Sequence, residues 1–220
     1  MKEKKFPIKE VINILEGESK KWDVPVVTLI ALQNKNPFKV LLSTIISLRT
    51  KDEVTIEASK RLYKILSKPS DIFNITSEDI EKAIYPCGFY KRKAIQIVNL
   101  CERLVNEFDG KVPDSLDTLL TFDGVGRKTA NLVLSEGFSI PAMCVDVHVH
   151  RISNRLGYIR TKNPDETEFK LREVLPKEYW IRYNSLMVAF GQSICRPVSP
   201  YCSRCPILNY CNRVNVTKYR

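Results

Sequence analysis

The residues best placed to do chemistry near the middle of the chain are a glycine turn and the lysine after it. Gly124-Val125-Gly126 is followed by Arg127 and Lys128, with apolar helical patterns on both sides. Glycines allow positive φ and close approach of the backbone to another molecule. A helix beginning near Arg127 would direct free N–H groups and its positive dipole end at the turn. This pattern favours a helix–hairpin–helix clamp on a nucleic-acid phosphate; an ordinary helical corner with a surface lysine is the alternative.

A carboxylate follows the lysine at an interval of 18 positions, as Asp146 in a Val-Asp-Val-His segment. The chain is interrupted between the two by Ile140-Pro141. A helical pattern begins at Val147, and aspartate is a favoured residue at the N-cap of a helix. Asp146 is therefore either a reacting carboxylate or only a helix cap.

Four cysteines near the end of the chain form a second candidate site. They are Cys195, Cys202, Cys205 and Cys211, with six, two and five residues between successive members. Prolines prevent this segment from forming one helix. Only one Cys-x2-Cys pair is present, whereas zinc ribbons usually have two. The unequal spacing favours a [4Fe–4S] cluster, with zinc as the alternative.

The remaining three cysteines, Cys87, Cys101 and Cys144, lie in apolar surroundings and are predicted to be core residues. An odd total of seven, without a signal peptide, argues against a disulfide framework.

Phe89 is an aromatic residue beside a basic run, Lys91-Arg92-Lys93. An exposed aromatic side chain next to cations could stack on a nucleic-acid base. The alternative is a hydrophobic staple for the helix that follows.

Composition limits the possible classes of protein. The chain has 220 residues, 44% hydrophobic and 27% charged, which is typical of a globular protein with a sizeable core. Its net charge of +10 favours a nucleic-acid partner, although a lysine-rich surface has other uses. No apolar run is long enough to cross a membrane, and the charged N-terminus lacks a signal core. We expect a cytoplasmic, nucleoid-associated protein with no membrane partner.

Nearly every segment has helical periodicity, so the predicted fold is all-α. Phe38 to Ile46 fits a buried helix ending near Leu48, and the apolar passage 24–32 is assigned to a helix in this context. Thr76 and Asp79 predict a capping box for a helix that stops at Gly88. Asp109-Gly110 should close the next helix. Pro164 is expected at the first position of a later helix, and the last long helix is expected to end near Gly191.

Together these motifs resemble the endonuclease III family of helix–hairpin–helix DNA glycosylases. The likeness rests on Gly-Val-Gly-Arg-Lys-Thr-Ala-Asn (124–131), Val-Asp-Val-His (145–148) and the Cys-x6-Cys-x2-Cys-x5-Cys tail, and extends over about residues 29–213. The resemblance implies a six-helix domain at 31–141 and an iron–sulfur domain made of 1–30 with 142–220. It also implies that DNA binds in a cleft between the two domains.

The activity implied by the resemblance is base-excision repair by a monomer acting on double-stranded DNA with damaged bases or abasic sites. Oxidised pyrimidines would be removed and the abasic site nicked, with Lys128 as the Schiff-base nucleophile and Asp146 as the catalytic carboxylate. His148 is expected to orient the structure around Asp146, and His150 to have no role. The alternatives are a monofunctional glycosylase of the same superfamily and a non-catalytic DNA-binding iron–sulfur protein.

The resemblance also implies which residues contact DNA: the clamp Gly124, Val125, Gly126 and Arg127, and the gap-filling residues Arg49 and Phe89. The last two depart from the glutamine and leucine that are common in the family, which puts the preference for the opposite base in doubt. Asp123 replaces a frequent proline before the clamp.

Overall fold

The computed structural model describes residues 6–34 and 36–220, without the side chain of Asn34. Within these residues the regular structure is helical, as predicted, and no strand is present. The α-helices of this part of the chain are α1 (Ile8–Ser19), α2 (Val26–Asn34), α3 (Pro37–Ser47), α4 (Asp52–Ile65), α5 (Ser77–Ile84), α6 (Tyr90–Phe108), α7 (Leu116–Leu119), α8 (Arg127–Leu132), α9 (Val147–Leu156), α10 (Pro164–Val174) and α11 (Trp180–Ser193). Short 3-10 turns and one π-helical turn complete the set.

The chain divides into two compact units. One unit is Val26–Ala142, and the other is Met143–Arg220 with the described N-terminal residues 6–25. The first unit begins at Val26 and not at the predicted residue 31, because α2 packs against α3 and belongs with it. Residues 1–5 of the predicted second domain lie outside the described residues.

The unit Val26–Ala142 is built around α3. Asn36 caps this helix by accepting hydrogen bonds from the backbone N–H groups of Phe38 and Lys39, and Pro37 occupies its first turn. From position 38 to position 46 every residue of α3 except Lys39 is buried, because α2, α4, α6 and α8 surround the helix. Removing that apolar surface from water is the main driving force for the folding of this unit.

The other unit has its own core, formed by α1, α9 and α11. Val11, Ile12 and Leu15 of α1 are fully buried with Val149 and Ile152 of α9. The hydroxyl group of Tyr183 on α11 is also buried, and it shares a hydrogen bond of 3.0 Å with Ser153 Oγ. This core fixes the helix that begins after Asp146.

Most predicted boundaries are confirmed. The capping box of Thr76 and Asp79 is present, Asp109 ends α6 in the left-handed region, and Asn163 with Pro164 starts α10. The prediction that α5 runs to Gly88 is wrong. Pro86 disfavours helical conformation at Tyr85, and α5 therefore ends at Ile84. A search of the described helices finds none that is both long and apolar enough to span a bilayer.

Candidate functional site

The predicted glycine turn lies between α7 and α8, and its two glycines differ. Gly124 has φ of 71°, a conformation that side chains rarely adopt, and a Cβ atom there would clash with the Gln96 side chain. Gly126 has φ of −87°, so positive φ is not the reason for glycine at this position. A Cβ on Gly126 would meet nothing within 4 Å. The backbone at Gly126 is therefore open to close approach by another molecule.

Lys128 is the second residue of α8, which begins at Arg127 as predicted. The α-helical part is only six residues long and continues as a π-helical turn, Val133–Gly137. Lys128 is half-buried, whereas Thr129 and Ala130 after it are buried against the unit. The core contacts of the next residues thus hold the lysine at the start of the helix.

A groove of about 560 Å³ lies on the same unit beside the turn. Its lining includes Asp123 and Gly124 of the turn together with Arg49, Phe89 and Gln96. Gln96 Nε2 donates a hydrogen bond of 3.0 Å to the carbonyl oxygen of Asp123. The structure therefore brings the turn and both predicted gap-filling residues to one groove.

Arg49 and Phe89 have an unusual backbone conformation. Their φ angles are 53° and 59°, which for large side chains costs about 1–3 kcal/mol each. The Phe89 side chain is 61% exposed, and the Arg49 guanidinium lies 5.6 Å from the centre of its ring. An exposed ring of this kind does not serve as a buried staple for α6. The two side chains instead form an exposed pair.

Lys93 does not belong to the surface basic cluster in which the sequence placed it. The residue is 5% exposed, and its ammonium group donates to the carbonyl oxygens of Ile46 and Leu48, both at 2.7 Å. It also donates to Thr50 Oγ1 at 3.1 Å. Burial lowers the pKa of Lys93. Helical periodicity of α6 could have revealed it, since Lys93 precedes Ala94 and Ile97 on the buried face.

Asp146 lies in the other unit and caps α9, as its position predicted. Its Oδ1 accepts hydrogen bonds from the backbone N–H groups of His148 and Val149, both at 2.9 Å. The side chain is half-buried, which leaves it partly accessible. The capping role is thus established by geometry, and it is compatible with a chemical role.

An arginine that sequence reasoning missed connects the Asp146 helix with the cysteine segment. Arg151 Nη2 donates to the carbonyl oxygen of Cys195 at 2.9 Å and lies 3.1 Å from His148 Nδ1. Burial lowers the pKa of Arg151, while the nearby Asp146 carboxylate acts in the opposite direction. The contact supports the expectation that His148 is part of the structure around Asp146. His150 Nδ1 shares a hydrogen bond with Thr167 Oγ1.

The four C-terminal cysteines line one small cavity. All four are free thiols. Within the described residues, no three His, Cys, Asp or Glu side chains are arranged to hold a single metal ion. The donors therefore surround a space and do not converge on one point.

Arg155 of α9 holds the first cysteine loop. Its guanidinium donates to the carbonyl oxygens of Arg196 and Pro197, each at 2.6 Å, and to Cys195 Sγ at 3.6 Å. The backbone N–H of Arg213 donates to Cys211 Sγ at 3.4 Å. Donors aimed at cysteine sulfurs stabilise thiolates, which are the ligands that iron–sulfur clusters require.

The raised pKa values of the cysteine thiols show that a bound group must supply positive charge. Burial raises the pKa of Cys205 to about 12, and the neighbouring Cys195, Cys211 and Cys202 add to the effect. Burial raises the pKa of Cys202 and Cys211 as well. Four thiolates this close together, one buried and three half-buried, need cationic metal to be stable. The donor set fits a metal cluster.

Comparison with known proteins identifies the family. Residues 42–177 match the HhH-GPD superfamily of base excision DNA repair proteins. The chain is 48% identical to endonuclease III of Thermotoga maritima over 176 residues, which cover 80% of this chain and 83% of the relative.

Solved structures agree with this match. A non-covalent endonuclease III–DNA complex superimposes with a TM-score of 0.84 at 33% identity, and covers 96% of both chains. A trapped endonuclease III–DNA covalent intermediate gives a TM-score of 0.80 at 34% identity, with 93% of this chain and 95% of that chain covered. Sequence and fold agree over most of the length, and this chain belongs to the endonuclease III family within the HhH-GPD superfamily.

Proposed function

We propose that this protein removes oxidised pyrimidines from duplex DNA and cleaves the strand at the resulting abasic site, with Lys128 as nucleophile. As a member of the endonuclease III family it is a bifunctional base-excision DNA glycosylase and lyase. The observation that carries the residue assignment is the position of Lys128, directly after an open glycine turn and at the first turn of α8. A lysine placed there can reach a sugar whose phosphate is bound at the turn.

The chemistry assigned to Lys128 begins with its neutral amine. Nζ attacks C1′ of the damaged nucleotide, the C1′–N bond breaks, and the base leaves with that electron pair and takes up a proton. Ring opening gives a protonated imine between Nζ and C1′. Loss of a proton from C2′ then expels the 3′ phosphate by β-elimination, and water releases the enzyme.

Asp146 is assigned the carboxylate role. Positive charge develops at the sugar as the C1′–N bond breaks, and a nearby carboxylate stabilises it and helps to transfer protons. The side chain can do this while it caps α9, because Oδ1 alone accepts both capping hydrogen bonds. Oδ2 is left for the reaction.

The contacts with DNA are assigned to the described groove and turn. Gly124, Val125, Gly126 and Arg127 would hold a phosphate, since the backbone at Gly126 has open space in front of it. Arg49 and Phe89 would fill the gap left by the extruded base, the arginine by donating to the orphaned base and the phenylalanine by stacking. The partner is double-stranded DNA in the cytoplasmic nucleoid, bound by a monomer.

Cys195, Cys202, Cys205 and Cys211 would hold a [4Fe–4S] cluster. The cysteines line one cavity, and within the described residues no three of them are arranged around a single ion, which supports this assignment over zinc. Such a cluster would supply thiolate cross-links that hold the tail to α9. No reaction step at the sugar requires it.

The trapped covalent intermediate of a related endonuclease III supports a covalent route for this chain. The test is borohydride reduction of a mixture of this protein and duplex DNA with a single abasic site. The proposal predicts a covalent adduct, and excision with nicking on a duplex that contains one oxidised pyrimidine. Excision without adduct or nicking would make the protein a monofunctional glycosylase. Binding without excision would make it a non-catalytic DNA-binding protein.

A further inference from the structure

Lys93 is a buried cation with no catalytic assignment. Its ammonium group donates to oxygen atoms of three residues, Ile46, Leu48 and Thr50, and none of these acceptors is a carboxylate. Burying an ammonium group is unfavourable unless hydrogen bonds replace its water. An apolar side chain of similar length would fill the same space without that cost. The position of the charge therefore requires an explanation beyond packing.

The oxygens that Lys93 binds surround Arg49. Ile46 belongs to the last turn of α3, and Leu48 and Thr50 flank Arg49 directly. A lysine that donates to the last carbonyl groups of a helix also interacts favourably with its dipole. With both neighbours fixed, the backbone at Arg49 is held at φ of 53°.

The same contacts extend to Phe89. Thr50 Oγ1, which accepts from Lys93, also accepts a hydrogen bond of 3.1 Å from the backbone N–H of Gly88. A Cβ on Gly88 would lie 2.5 Å from the carbonyl oxygen of Arg49, so the two turns touch. Lys93, Thr50 and Gly88 thus form one network below the exposed pair of Arg49 and Phe89.

We propose that Lys93 is a positioning residue that holds Arg49 and Phe89 in their left-handed conformations, ready to enter the duplex, and thereby determines opposite-base preference. The inference rests on the proposed function for the assignment of these two residues. Large side chains leave the left-handed region when their surroundings relax. Loss of the ammonium group would allow the backbone at Arg49 and Phe89 to leave its positive φ angles. Extrusion of the damaged base would then become less efficient.

The test compares Lys93→Met with the exposed Lys91→Met, which removes the same charge from the same helix. Both variants are measured on an oxidised pyrimidine, 5-hydroxyuracil, placed opposite each of the four bases. We expect excision by Lys93→Met to fall by roughly ten- to hundredfold, as a displaced positioning group allows. The differences in excision rate among the four opposite bases should become smaller in Lys93→Met. Lys91→Met should keep the native order of preference for the opposite base.

A second readout separates positioning from general damage to the protein. Borohydride trapping on a preformed abasic site needs no base extrusion, so Lys93→Met should trap at nearly the native rate. Fluorescence of 2-aminopurine opposite the lesion reports insertion, and its increase on binding should be smaller for Lys93→Met. Native excision with unchanged opposite-base order would overturn the proposal. Equal loss of trapping and excision would also overturn it.

If Lys93→Met does not fold, Thr50→Val removes the hydroxyl link to Gly88 and keeps Lys93. The same loss of excision with normal trapping is expected, and a native profile contradicts the proposal. Should the native protein itself fail to form an adduct, the lyase proposal fails. The 2-aminopurine comparison still decides the role of Lys93 in that case.

Discussion

The turn that carries Lys128 and the helix that begins at Asp146 are held in place in different ways. The turn is held by contacts within its own unit: Gln96 donates to the carbonyl oxygen of Asp123, and Thr129 and Ala130 are buried just beyond the lysine. The helix of Asp146 is bonded through Arg151 and Arg155 to residues 195–197, about forty positions away. Residues 96–130 therefore hold the first region, whereas the second also needs a folded C-terminal tail.

The Asp146 region is joined to the cysteine tail, so its structure should depend on metal bound by the cysteines. The backbone N–H groups of Asn212 and Val214 donate to the carbonyl oxygens of Leu156 and Arg155, so the cysteine tail closes on the C-terminal end of α9. The hydrogen bonds described at the glycine turn come from residues of its own unit, such as Gln96 and Phe122. Changes at the cysteines should therefore act on the Asp146 region first.

The largest expected effect is on catalysis, from Asp146→Asn. Asparagine caps a helix as well as aspartate, so the unfolding temperature should stay close to native. Excision should fall by about 10²–10⁴-fold because the charge is lost. Thermal unfolding and single-turnover excision measure the two effects. Native excision by Asp146→Asn would show that Asp146 only caps α9 and has no role in catalysis.

Loss of the proposed cluster should affect the two regions differently. In Cys202→Ser, the amides of Asn212 and Val214 should exchange with solvent much faster, because their acceptors on α9 are no longer held in place. The amide of Ala130, bonded to Gly126 within the Lys128 region, should exchange as in the native protein. Hydrogen exchange with mass analysis makes the comparison. Equal acceleration at Ala130 would show that the turn also depends on the tail.

Arg155→Met tests the same region without changing a cysteine. The variant loses hydrogen bonds to Arg196 and Pro197 and the contact with Cys195, so unfolding should become easier by about 1–3 kcal/mol. Arg160→Met is the control, since Arg160 is exposed. Urea unfolding of the two variants measures the difference. Equal free energies of unfolding for the two variants would show that Arg155 does not stabilise the cysteine tail.

The smallest effects concern the two glycines of the turn. Gly124→Ala should cost about 1–2 kcal/mol because its φ is positive. Gly126→Ala should change stability by less than about 0.5 kcal/mol, since its φ is ordinary and the added atom meets nothing. Binding of Gly126→Ala to an abasic duplex should nevertheless weaken, if a phosphate approaches there. Unchanged binding would place the phosphate elsewhere.

Much of the site could be predicted because its signals are local. The cap at Asp146, the start of α8 at Arg127 and the burial of α3 follow from neighbouring residues and periodicity. The left-handed conformations of Arg49 and Phe89 could not be predicted, since their supporting contacts come from residues distant in sequence. The burial of Lys93 is indicated by the helical periodicity of α6, although a lysine within a basic run is usually solvated.

The position of the borohydride-trapped adduct in the chain tests the role of Lys128 directly. Native protein is reduced on abasic duplex DNA, digested with protease and nuclease, and mapped by mass spectrometry. We expect the sugar remnant to be attached to Lys128. The Lys128→Gln variant should form no adduct under conditions where it still binds DNA. An adduct on another amine, or a Lys128→Gln variant that nicks at the native rate, would contradict it.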